Sequence, residues 1–222
     1  MRERRLSMSD LSKRTYKYYL INGLKNYGII LLIEMLLILE WILIGSDEDL
    51  KEYIPRMFVM VGGLFTAILN GIYSMYGPGW YDSLTLSMGA RRKDIFVGQL
   101  IKQLIIVVCN TAVVAVVASI FLSKFFMFYV YATALMGLVT GAAGNVIGHK
   151  LRRYGKVVIM VIVLGCAILG GTIGVGAAID GNAILVTNVA SIPPILFPIL
   201  IILLFVGLEA WGYKLSKTMM VR

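Results

Sequence analysis

The sequence is poor in the residues that usually carry chemistry. Its 222 residues include one histidine, two cysteines and five prolines, and only 15% are charged. His149 has no Cys, Asp or Glu at metal-ligand spacing, so it is expected to be structural or interfacial and no metal site is expected. Cys109 and Cys166 fall in apolar stretches, where a small polarizable side chain packs well and no disulfide is expected. There is no GxxxxGK[ST] phosphate loop, and the run GGTIGVG at 170–176 is apolar and lacks a following lysine. Intramembrane hydrolases and lipid-modifying enzymes need paired carboxylates, a Ser/His arrangement or a histidine-rich cluster, and none is visible. The chain is therefore expected not to be an enzyme and to bind no cofactor of its own.

Acidic residues are also scarce, at 12 Asp and Glu against 21 Lys and Arg, for a formal net charge of +9. In a soluble protein this excess would suggest nucleic acid as a partner. Here the basic residues sit in short segments between apolar runs, which reads as membrane topology, and no nucleic-acid partner is expected.

What the sequence has in abundance is apolar residues, 59% of the chain with a mean hydropathy of +0.85. A soluble domain carries about 45 to 50%. A membrane-crossing helix needs roughly 20 predominantly apolar residues, and runs of that kind lie at about 27–45, 57–77, 96–122, 126–148, 157–179 and 195–213. The prediction is one all-α transmembrane domain over residues 1–222 with six spans. Lys and Arg concentrate in every second connecting segment, in the N-terminal stretch, ARRK, HKLRRYGK and KLSKTMMVR, whereas SDEDLKE and IDGN are acidic or neutral. The positive-inside rule then puts both ends in the cytoplasm of a multi-pass cell-membrane protein. The first twenty residues are basic and polar with no secretory apolar segment, so they are expected to be mature, cytoplasmic protein.

Residues 8–25 mix Leu11, Tyr18, Tyr19, Leu20 and Leu24 with Lys13, Arg14, Lys17 and Lys25, which suits an amphipathic helix in the membrane interface; a solvated basic tail is the alternative. Gly137, Gly141, Gly144 and Gly148 fall on one helical face, and Gly170 and Gly174 repeat the four-residue step in the fifth run, so close helix packing is expected at both.

Ionisable residues inside spans are costly and count as functional candidates, here Glu34, Lys102 and Glu209. Glu34 and Lys102 match in depth and are expected to pair across the first and third spans, either fixing helix register or lining a substrate path. Glu40, beside Trp41 near the outer end, is expected to snorkel.

The segment between the second and third runs, GPGWYDSLTLSMGARRKDIFVGQL at 77–100, is too long and patterned for a simple turn. Trp80, Leu84 and Met88 at steps of four give a short helix an apolar side, and Gly89 with Arg91, Arg92 and Lys93 marks its boundary. SMGARRKDIF resembles the segment of a small residue, Gly-Ala, two basic residues and then apolar residues that recurs in permease subunits of ABC exporters, and the six-span layout resembles their ABC-2 family. The basic cluster alone would also serve as an orientation signal. The resemblance implies an amphipathic helix before the first span and a coupling helix at 79–88, with Trp80, Asp82, Leu84, Met88, Gly89, Arg91 and Arg92 serving contact to an ATPase. It further implies a second permease subunit and a separate ABC ATPase that holds ATP and Mg. The expected cargo is an amphipathic or hydrophobic peptide, lipid or drug. Two other readings fit the same residues: an ion- or proton-coupled secondary transporter using Glu34, Lys102 and Glu209, and a membrane scaffold or immunity subunit.

Overall fold

The computed structural model describes residues 8–44, 50–122, 124–155, 157–159 and 196–217. Among these residues the protein is all-helical, with no strand. The order is α1 (Met8–Ile44), α2 (Leu50–Met75), a π-helical turn (Gly77–Tyr81), α3 (Asp82–Ser87), α4 (Arg92–Phe121), α5 (Lys124–Tyr154) and α6 (Leu196–Lys217). Among the described residues five helices are long and apolar enough to cross a membrane. The fold is that of a multi-pass helical membrane protein.

The side-chain distribution is the reverse of a soluble bundle. In α1 the buried stripe runs through Ser12, Thr15, Tyr19, Gly23, Asn26, Ile30 and Glu34 at steps of three and four, so it is mostly polar or small. The outward face carries Leu32, Met35, Leu36, Leu39 and Leu43, all exposed. α4 repeats this, burying Asp94, Gln99, Lys102, Gln103 and Asn110 while exposing Val108, Val116 and Ile120. In hydrocarbon an apolar outer face costs nothing and polar side chains must find partners inside, so polarity turns inward.

The expected interface helix is corrected: residues 8–25 are not a separate element but the first part of the continuous 37-residue α1. At about 1.5 Å per residue α1 is roughly 55 Å long, well beyond a hydrocarbon core of about 30 Å. Its polar first half is held by side-chain bonds from Ser12, Tyr16 and Tyr19 to Asp94 and Asp82, where an interfacial helix would lay an apolar face on lipid. The second to fourth spans match α2, α4 and α5 with shifted ends, and the sixth matches α6. The fifth run, with Gly170 and Gly174, lies outside the described residues apart from 157–159.

α2 and α5 run parallel at very close range. Gly63 faces Thr133, Gly137 faces Thr66, Gly144 meets the backbone of Gly71, and Gly148 meets the carbonyl of Met75. Gly137, Gly141, Gly144 and Gly148 therefore form the face of α5 that receives α2, and the missing side chains let two backbones touch. α4 packs against α1, α2 and α5, and α6 lies on α5. The basic segments gather at one end. Arg91 Nη2 donates to Ser12 Oγ at 2.9 Å, Arg92 Nη1 to the Lys217 carbonyl at 2.5 Å, and Arg152 Nη1 to the Pro78 carbonyl at 3.0 Å.

Candidate functional site

The turn between α2 and α4 is built by its own sequence. Pro78 has no N–H to continue the α-helical ladder, and the coil widens so that Asp82 N–H reaches the Gly77 carbonyl five residues back. α3 then lasts six residues. It stops in a Schellman cap, with Gly89 at φ +88°, its N–H on the Leu86 carbonyl at 3.0 Å and the Ala90 N–H on the Thr85 carbonyl at 3.0 Å. Gly89 is present because only glycine adopts that conformation without strain.

One side of this turn is locked to the bundle. Asp82 is 1% exposed and one of its oxygens accepts from Tyr19 Oη at 2.6 Å and Gln99 Nε2 at 2.7 Å. Lys102 of α4 and Arg152 of α5 act on the same carboxylate through their charge. A second carboxylate completes the lock. Asp94 accepts from Ser12 Oγ at 2.9 Å, Tyr16 Oη at 3.1 Å and Arg91 Nε at 2.9 Å. That contact holds the Arg91 guanidinium above its ordinary pKa, through the hydrogen bond to Asp94 first and its charge second. Three elements, α1, α3 and α4, are thus joined by hydrogen bonds through two acidic side chains.

The other side of the turn is open. Trp80 is 76%, Leu84 45% and Met88 65% exposed, and Arg91, Arg92 and Lys93 flank them. The residues expected to couple to an ATPase therefore separate into two groups. Trp80, Leu84, Met88, Arg91 and Arg92 lie at the surface, whereas Asp82 faces inward and Gly89 caps the helix, so neither Asp82 nor Gly89 offers a side chain to a partner. The separation was hidden in the sequence because a six-residue helix has both faces within a few positions.

The expected Glu34–Lys102 pair does not form. Glu34 Oε1 accepts from Asn110 Nδ2 at 2.9 Å, and that same nitrogen lies 3.1 Å from the Gly62 carbonyl and 2.8 Å from Thr66 Oγ1. Lys102 Nζ donates to the Tyr73 carbonyl at 2.8 Å and sits 5.2 Å from the centre of the Tyr81 ring, on the Asp82 side of α4. Equal depth was a poor guide because Lys102 and Asn110 are eight residues apart, about two turns along α4. Exchanging the charges in Glu34→Lys with Lys102→Glu is accordingly expected to give no rescue over either single variant, measured as yield of folded protein in detergent. Rescue would restore the pair.

Between these places runs a column of buried polar groups. Asn70 Nδ2 donates to the Gly137 carbonyl at 2.8 Å, Thr140 Oγ1 to the Ala67 carbonyl at 2.5 Å and Gln103 Nε2 to the Gly141 carbonyl at 3.3 Å. From Asp94 to Asn110 the polar stripe of α4 covers about 24 Å at 1.5 Å per residue. Tyr19, Asp94, Gln99, Gln103 and Asn70 did not stand out as functional candidates in the sequence. The signal available was the three-and-four spacing of polar residues in otherwise apolar helices. His149 is buried near the same end, and no group of three or more His, Cys, Asp and Glu able to hold a metal occurs among the described residues.

The chain matches no family model, no characterised protein and no solved structure.

Proposed function

We propose that this chain is the membrane-spanning subunit of an ABC-2-type exporter, driven by a separate ATPase that docks on the Trp80–Leu84–Met88 face and working with a second membrane subunit. The observation that carries this reading is the two-sided turn: an exposed apolar stripe with a basic rim, whose opposite side is bonded through Asp82 to α1 and α4. A push on such a turn reaches the helices that would have to move, whereas a turn held only by backbone would yield locally. The chain itself performs no phosphoryl chemistry; ATP and Mg belong to the partner. The apolar outer faces and scarcity of internal charge suit an amphipathic or hydrophobic cargo.

The same reading places the protein in the cell membrane with six spans and both ends in the cytoplasm. α5 and α6 both finish at the basic end, which supports a further crossing between them. The positive-inside rule supports a cytoplasmic position for that end.

Changing Trp80, Leu84 and Met88 together to Ser removes the stripe and leaves Asp82, Tyr19 and Gln99 in place. The expected result is a folded variant that no longer co-purifies with the ATPase and no longer stimulates its hydrolysis. An intact protein that retains no ATPase in mild detergent would move the reading to ion-coupled transport.

A further inference from the structure

At the basic end of the bundle, α5 and α6 hold one cation between two aromatic rings. The Lys150 ammonium lies 5.5 Å from the centre of the Tyr154 ring on its own helix and 5.6 Å from that of Trp211 on α6. Both distances are within reach of a cation–π attraction. The rings are half-exposed, at 52% and 48%. The Arg153 guanidinium lies 5.4 Å from the centre of the same Tyr154 ring, and Lys214 stands exposed one turn past Trp211. Gly212 lies against Asn145 and Val146, which fixes α6 beside α5 one turn before Lys150.

Negative charge is what this place lacks. Aromatic faces orient an ammonium without neutralising it. Lys150, Arg153 and Lys214 have no acidic partner among the described residues. Asp82 and Asp94 are bonded inside the lock, and Glu209 is buried beside Gln103. Between Gly155 and Leu208 the sequence offers a single carboxylate, Asp180. Lys150 and Trp211 lie about 6 and 9 Å inside the ends of their helices at 1.5 Å per residue. That is the depth at which spans pass from hydrocarbon to headgroups, and where Trp and Tyr gather.

We infer that the groove formed by Lys150, Arg153 and Lys214 with Trp211 and Tyr154 binds the phosphate of an anionic phospholipid of the surrounding leaflet. A phosphodiester accepts charge-assisted hydrogen bonds from several cationic donors at once, which supplies the missing charge. Basic pockets at the membrane surface between helices recognise anionic headgroups in this way. The groove also continues into hydrocarbon, as a soluble anion would not require. One turn before Trp211, a Cβ at Gly207 meets nothing within 4 Å among the described residues, and Leu203 and Leu204 beyond it are exposed, which leaves a shallow apolar track for an acyl chain. The inference rests on the membrane-spanning fold and not on ATPase docking.

The test uses the full chain purified in detergent. The probes are dioctanoyl phosphatidylglycerol, dioctanoyl phosphatidylcholine and inorganic phosphate, each titrated while the thermal unfolding midpoint is read. Phosphatidylglycerol is expected to raise the midpoint by roughly 5 to 10 °C when it reaches a hundred times its dissociation constant. Phosphatidylcholine and phosphate are expected to do so far less. Lys150→Gln should weaken phosphatidylglycerol about fivefold or more, Lys150→Arg should restore it, and Lys13→Gln, which removes an equal charge from α1, should leave it unchanged. Arg153→Gln, at an exposed position, is expected to weaken it as well and keeps the site testable if Lys150→Gln folds poorly. Equal shifts with the two lipids, or equal losses in Lys13→Gln and Lys150→Gln, would reduce the site to a diffuse positive field. Saturation by phosphate alone would make it a soluble-anion site. Loss of a co-purifying protein in Lys150→Gln with lipid affinity unchanged would give the groove to that protein instead.

Discussion

Asp82→Ala is expected to lower stability by about 2 to 4 kcal/mol, because it strands the buried Gln99 amide and leaves the Tyr19 hydroxyl only the longer contact to Thr85 Oγ1 at 3.4 Å. For a chain of this size that corresponds to a thermal midpoint lower by roughly 4 to 16 °C in detergent. Asp82→Asn keeps one acceptor oxygen and loses the charge, so it should fall between Ala and the native protein. The functional consequence should exceed the structural one. On the proposed exporter reading, the Trp80–Leu84–Met88 face with its inner side unfastened is expected still to bind the ATPase but no longer to pull on α1 and α4, so that binding persists while cargo-stimulated hydrolysis falls. An Asp82→Ala protein as stable as the native one would show that the two bonds, at 2.6 and 2.7 Å, carry no net energy.

The second large effect lies at the α2–α5 contact. A Cβ at position 144 would fall on the Gly71 carbonyl oxygen, 2.9 Å from its carbon and 3.1 Å from the Gly71 Cα. All three are backbone atoms, so no side chain can swing aside. Gly144→Leu must separate the two helices, and the lost packing along the whole glycine face should cost about 3 kcal/mol or more. Gly28 and Gly207 provide the contrast. A Cβ at either meets nothing within 4 Å among the described residues, so Gly28→Ala and Gly207→Ala are expected to be neutral or to stabilise by a few tenths of a kcal/mol up to about 1 through better helix propensity. Thermal unfolding of the three variants side by side checks this. A Gly144→Leu protein that unfolds with Gly28→Ala would contradict the close contact.

The helices were legible in the sequence because long apolar runs and grouped basic residues are properties of single segments. The face of α5 carrying Gly137, Gly141, Gly144 and Gly148 was legible for the same reason, since spacing alone puts them together. Which helix meets that face was not legible. Neither was the partner of Glu34, because the choice between Lys102 and Asn110 depends on how α1 and α4 are rotated about their axes. The break expected near residue 25 illustrates a different limit. A change from polar to apolar composition marks where a helix leaves water, and it leaves the hydrogen-bond ladder of α1 uninterrupted. The role of Asp82 was hidden because one partner, Tyr19, is distant in sequence and the other, Gln99 of the next helix, is brought to it only by the way α4 turns back on the π-helical turn.

On the proposed reading, the exposed side of the 77–91 turn is where a separate ATPase engages this membrane protein. Site-specific cross-linking in native membranes tests this, with a photoreactive residue at position 84 and a control at Leu64, which faces outward midway along α2. An adduct with a nucleotide-binding soluble protein is expected from position 84, absent from position 64 and strengthened when ATP hydrolysis is blocked. Adducts with lipid alone from both positions would contradict it, and would make the Trp80–Leu84–Met88 stripe a membrane-facing surface.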